Sequence, residues 1–189
     1  MPRVRMLLVG AFVAGGSLLA TSLPAAATSA TATLSQGTFG FVNPPAATAF
    51  PSITLTGSAV SANSTQTFDV GDATGSGAGW NITATSTTFT AGSHTLPTSA
   101  VTVQAVPTVA CDASATCTVA TNGTSYPYSL PAAATAPTAT KIFSSAANTG
   151  LGNQTITLVF KLSVPASAFA GNYSSTWTYT LVSVETATM

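Results

Sequence analysis

Charge is almost absent from this chain, which has four lysines and arginines and four aspartates and glutamates in 189 residues. A chain so poor in cations cannot neutralise a row of phosphates, so neither nucleic acid nor an anionic membrane surface is an expected partner. Histidine is nearly missing as well, His94 being the only one. General acid–base and nucleophilic catalysis need a positioned base. His94 lies in a turn-like AGSHTLP with no G-x-S-x-G elbow around it, so the reading is of a protein without catalysis and without a cofactor. Leu, Glu, Lys and Arg, the strong helix formers, are scarce, and no sustained helical period is present.

Long apolar runs are missing too. The one at residues 6–20, behind Arg3 and Arg5, is about 15 residues long, short of the roughly 20 a spanning helix needs. Small residues Ala25 and Ala27 follow it, so residues 1–27 read as a secretory signal peptide cleaved after Ala27. The expected product, residues 28–189, is a single extracellular domain with no membrane span. It keeps two lysines against three aspartates and one glutamate, a net charge of −2. Hydroxyls and exposed backbone must then keep it in solution.

Cysteine is limited to Cys111 and Cys117, in CDASATC. In an oxidising compartment the two are expected to pair. Closing so short a loop stabilises by about 2 kcal/mol, enough to pin a hairpin and too little to hold a domain together. The rival reading, a redox or metal pair, would want further Cys or His ligands nearby, and His94 is distant in sequence.

Thr, Val, Ile and aromatic residues are plentiful, and they recur with a period of two. In QTITLVFKLSV, Ile156, Leu158, Phe160, Leu162 and Val164 share one face, and Thr155, Thr157, Val159, Lys161 and Ser163 the other. That is a strand with one buried side, which Pro165 ends. In GNYSSTWTYTLV the same count puts Tyr173, Ser175, Trp177, Tyr179 and Leu181 on one face. Further strands are expected at residues 38–42, 52–60, 65–70, 80–89, 101–106, 116–120 and 138–143. The tracts NPPAATAFP and LPAAATAPTAT read as loops between strands. Short strands at this spacing predict an all-β fold, a single-domain antiparallel β-sandwich.

Asp69 and Asp72, in DVGDATGSGAG, are the candidates for a calcium ion. The alternative is a plain Asx and glycine turn, since the D-x-D-x-D-G spacing is absent and no bidentate Glu follows. LPTSA at residues 96–100 half resembles a sortase signal but lacks its Thr-Gly ending and a hydrophobic tail.

Two segments together resemble the WxL-domain family of bacterial cell-surface proteins: VGDATGSGAGWNITATSTTF at residues 70–89 and LSVPASAFAGNYSSTWTYTLVS at residues 162–183. Asp72, Gly75, Gly77, Gly79 and Trp80 match the first motif, and Pro165, Ala170, Gly171, Tyr173 and Leu181 the second. The signature itself departs. Ile82 stands for Leu in the first, and Tyr179 for Trp in the second, with Trp177 two residues earlier on the same face. The resemblance implies a β-rich module that associates non-covalently with the cell wall, with peptidoglycan and with other surface proteins. The Ala/Thr/Ser bias and low charge also suit a structural subunit of a surface filament or coat. Trp80, Ile82, Trp177, Tyr179 and Leu181 are the signature residues in either case. Each aromatic is worth about 4–6 kcal/mol when 150–250 Å² of it is buried, which favours core packing over contact with glycan. The two signature strands are expected to lie near each other.

Overall fold

The computed structural model describes residues 30–184, so the expected signal peptide lies outside the described residues. All of the strands belong to the compact unit that begins at Ser35.

Among the described residues the chain forms twelve strands and no helix. They are β1 (Phe39–Asn43), β2 (Val60–Asp72), β3 (Trp80–Thr87), β4 (Thr90–Ala91), β5 (His94–Thr95), β6 (Val101–Val103), β7 (Thr108–Cys111), β8 (Tyr128–Ser129), β9 (Ala132–Ala133), β10 (Thr140–Ser144), β11 (Gly152–Val164) and β12 (Trp177–Ser183). One sheet runs β1-β2-β11-β6-β8, with β7 also on β11; a second runs β10-β3-β12, with β9 on β3; β4 and β5 form a separate hairpin. Every pairing is antiparallel except β3 with β9.

The long ladder is the pair β2 and β11, in unbroken register from Gly152 opposite Asp72 to Val164 opposite Val60. The alternation expected of β11 is realised: Ile156, Leu158, Phe160, Leu162 and Val164 are buried. They face Trp80, Ile82 and Ala84 of β3 and Ile142 and Phe143 of β10 within one hydrophobic core. Ring contacts tie the sheets together directly, with Phe160 of β11 5.0 Å from Trp177 of β12 and Phe68 of β2 4.8 Å from Tyr179. The all-β, largely antiparallel fold that the sequence predicts is realised, with two sheets contributing to one hydrophobic core.

Two expected strands are not there. Residues 52–59 do not join a ladder; Gly57, at φ +79°, turns the chain before β2 begins at Val60. Residues 116–120 are irregular too, and the strand of that region is β7, just upstream, which pairs with β11 where β6 leaves it. The Cys111–Cys117 disulfide forms. It pins no hairpin. Its loop instead lies along the start of β11, with the Thr118 N–H donating to Leu151 O and the Asp112 N–H to Asn153 O. The tract at residues 130–140 is more than a loop, because Leu130 is buried and β9 adds to the edge of β3.

The two faces of the β2–β11 ladder differ in what they bear. Leu158→Ala is expected to cost about 2–5 kcal/mol in urea unfolding, because it empties space in the core. Thr65→Ala, exposed on β2, is expected to stay within about 0.5 kcal/mol of the parent chain.

Candidate functional site

The signature strands are neighbours. β12 pairs with β3 so that Leu181 faces Ile82, Ser183 faces Trp80, Tyr179 faces Ala84 and Trp177 faces Ser86. Trp80 and Tyr179 therefore flank the Ile82–Leu181 pair from opposite sides, in a local two-fold arrangement. Ile for Leu at position 82 keeps an apolar branched side chain in the middle of it.

Trp80 is 0% exposed and stacks on Phe143, ring centroids 5.4 Å apart. Its indole N–H donates to Gly150 O at 3.0 Å, which satisfies the one polar group the ring brings into the core. A side chain so enclosed cannot touch a wall polymer. Trp80 and Ile82 build the site without lining it.

Trp177 and Tyr179 are half-buried, on the inward face of the edge strand β12. Trp177 sits among Phe50, Phe89 and Phe160 at 5.0–6.4 Å. Tyr179 lies against Phe68, and its hydroxyl reaches Thr48 Oγ1 at 2.6 Å. Thr48 Oγ1 donates to Gln66 Oε1 at 2.8 Å, so the shared hydrogen of the other contact belongs to Tyr179. Ser64 Oγ donates to Ala49 O at 2.6 Å. These bonds and the Phe50 ring hold residues 48–50 across the gap between β2 and β12. A tryptophan at position 179 would have no hydroxyl to reach Thr48.

Beside this strap a groove of about 680 Å³ opens between residues 48–55 and residues 169–177. Phe50, Phe89 and Trp177 line it together with Leu55, Phe169 and Tyr173. Phe169 is 61% exposed, a large apolar ring left in solvent. Tyr173 O–H donates to Phe169 O at 3.0 Å and fixes that turn, while His94 stacks on the Phe169 ring at 4.0 Å. Asn172, Ser52 and Ser174 add polar groups, and among the described residues no charged side chain lines the groove. The volume is that of a small-ligand site, about 300–1,000 Å³.

The other sequence candidates are placed apart. Asp69 and Asp72 are three residues apart on β2, so they point to opposite faces. Asp72 is buried, its Oδ1 accepting from Thr74 N–H at 3.0 Å and Thr74 Oγ1 at 2.7 Å, which is the Asx turn; Asp69 Oδ2 accepts from Asn43 Nδ2. The pair does not converge on one ion. His94 stands in the β4–β5 hairpin, exposed, with one ring face against Phe169. In LPTSA both Leu96 and Ala100 are buried.

Phe50, Phe89 and Phe169 escaped the sequence reading. Phe50 sits in a Pro-rich tract with no period to point its ring. Phe169 did carry a signal, as a lone aromatic between two alanines in a turn.

Burial raises the pKa of the Tyr179 hydroxyl well above its usual value, and the Thr48 hydrogen bond draws it only partly back. Because the folded value is the higher one, this contribution to stability is complete below the ordinary tyrosine pKa of about 10 and is lost as pH climbs from there towards the folded value. Tyr126, also raised by burial, acts in the same direction. Tyr179→Phe is therefore expected to lose less of its neutral-pH thermal midpoint at pH 11 than the parent chain loses, measured by circular dichroism.

A family model described as "WxL domain surface cell wall-binding" matches residues 34–184. No curated protein and no solved structure matches the chain. The family match covers well over half of the sequence, including both signature strands and both walls of the groove. The chain belongs to the WxL-domain family of cell wall-binding surface domains.

Proposed function

We propose that this protein is exported and binds peptidoglycan non-covalently at the cell surface, without catalysis, in the company of other surface proteins. The observation that carries this reading is the uncharged groove between residues 48–55 and 169–177, with an exposed Phe169 at its mouth and Trp177 in its wall. Sugar polymers offer apolar ring faces and neutral hydroxyl and amide groups, and they are held by aromatic surfaces and hydrogen bonds rather than by charge. A hydrolase would need a base and a nucleophile in one place, whereas His94 has its ring stacked on Phe169.

A second reading, the structural subunit of a filament or coat, is favoured by β12. It is the edge of its sheet and carries neither charge nor proline from Trp177 to Val182, the usual devices that keep edges from pairing with another chain.

Co-sedimentation with purified peptidoglycan separates the readings. The wall-binding reading expects saturable retention, and retention no greater than that of an unrelated β-protein would overturn it. The coat reading expects elongated assemblies in electron micrographs as concentration rises, and a monodisperse monomer throughout refutes it.

A further inference from the structure

We infer that the groove takes the N-acetylated glycan strand of the wall, rather than its peptide stems or its anionic polymers. This rests on the wall-binding reading and adds which chemical part of the wall is held, and where.

Charge decides first. Apart from His94, the two lysines at positions 141 and 161 are the only basic side chains from residue 28 onward, and neither lines the groove. A carboxylate of a stem peptide or a phosphate of an anionic polymer would lose its hydration there without gaining an ionic partner, which is strongly unfavourable. A neutral ligand avoids that cost.

The shape and chemistry of the walls narrow the class further. An N-acetylhexosamine presents an apolar ring face, an acetamido methyl group and an amide that both donates and accepts. The groove presents matching surfaces: the Phe169 ring, exposed on the side that His94 does not cover, and an apolar wall of Phe50, Ile53 and Leu55. Asn172, at the same rim, carries an amide with two donors and an acceptor, suited to pair with an acetamido group. A glycan without acetamido groups would leave the apolar wall in contact with hydroxyls, so discrimination against it is expected.

Phe169 is held by backbone and stacking at its own turn and contributes little to the core, so it can be changed without dismantling the sandwich. Trp177 is a built-in reporter, because the other tryptophan, Trp80, is sealed from solvent.

The test titrates the full exported chain with a tetramer of N-acetylglucosamine, with cellotetraose and with a free stem peptide, following tryptophan emission. Saturable change with the acetylated tetramer alone is the expected result, weakened at least tenfold in Phe169→Ala and restored in Phe169→Tyr. Asn172→Ala should narrow the difference between the two tetramers. Thermal melts of the variants should match the parent chain, and a Phe169→Ala melt lowered without loss of binding overturns the assignment. So does an equal response to cellotetraose, or a response to the stem peptide instead. If the tetramer gives no response while peptidoglycan still retains the protein, the wall-binding reading stands and the glycan assignment fails; if both are lost, the wall-binding reading fails first.

Discussion

Edge-to-face contact between aromatic rings of the two sheets is what the rest of this structure depends on. Two sheets of modest width, nearly free of charge, can be joined only by burying apolar area. The largest pieces of it are rings: Phe68 and Phe160 from one sheet meet Tyr179 and Trp177 from the other, and Trp80 and Phe143 fill the far side. The signature strands supply half of these rings. Their first duty is therefore architectural, and ligand contact is left to the rings at the rim.

The same shortage of charge shapes how polar groups are satisfied. Among the described residues hydroxyls and carbonyls are the means. Thr48 links Tyr179 to Gln66, Ser64 ties down Ala49, and Asp72 caps its own turn through Thr74. Each such bond is worth about 1 kcal/mol, but breaking one strands a buried partner and costs more. A proline-rich segment with no ladder of its own is in this way fixed firmly enough to form one wall of a groove.

Much of the fold was legible because a half-buried strand must alternate. The alternation of β11 and β12 could be read residue by residue, and the paired motifs brought the two signature strands near each other, whereas the pairing of β11 with β2, β6 and β7 had no signal in the sequence. The strap was not legible, since its order comes from side chains of β2 and β12 that are distant in sequence, and Ile53 and Leu55 imitate the alternation of a strand while lining a groove. Residues 116–120 misled for a similar reason: they follow β11 through scattered bonds, one of them from Ala120 N–H to Gln154 Oε1, rather than through a register. Asp69 and Asp72 are close in the string of letters, but on a strand any two residues an odd number apart point to opposite faces. Of the groove, only Trp177 and Tyr173 could be placed in advance, by the face they share.

Gly150 has a consequence beyond the hydrogen bond it accepts. It lies at φ +81°, and a methyl group there would sit 2.6 Å from Trp80 Nε1 and collide with Ser145 Oγ. Positions 80 and 150 are thus one decision made in two places. A lineage that trades the tryptophan for a smaller residue removes one of the two collisions, while Ser145 Oγ and the left-handed backbone still favour glycine at position 150. One that fills position 150 first has no room for the indole. The first half of the family signature thus carries a silent partner that no reading of the signature alone would include.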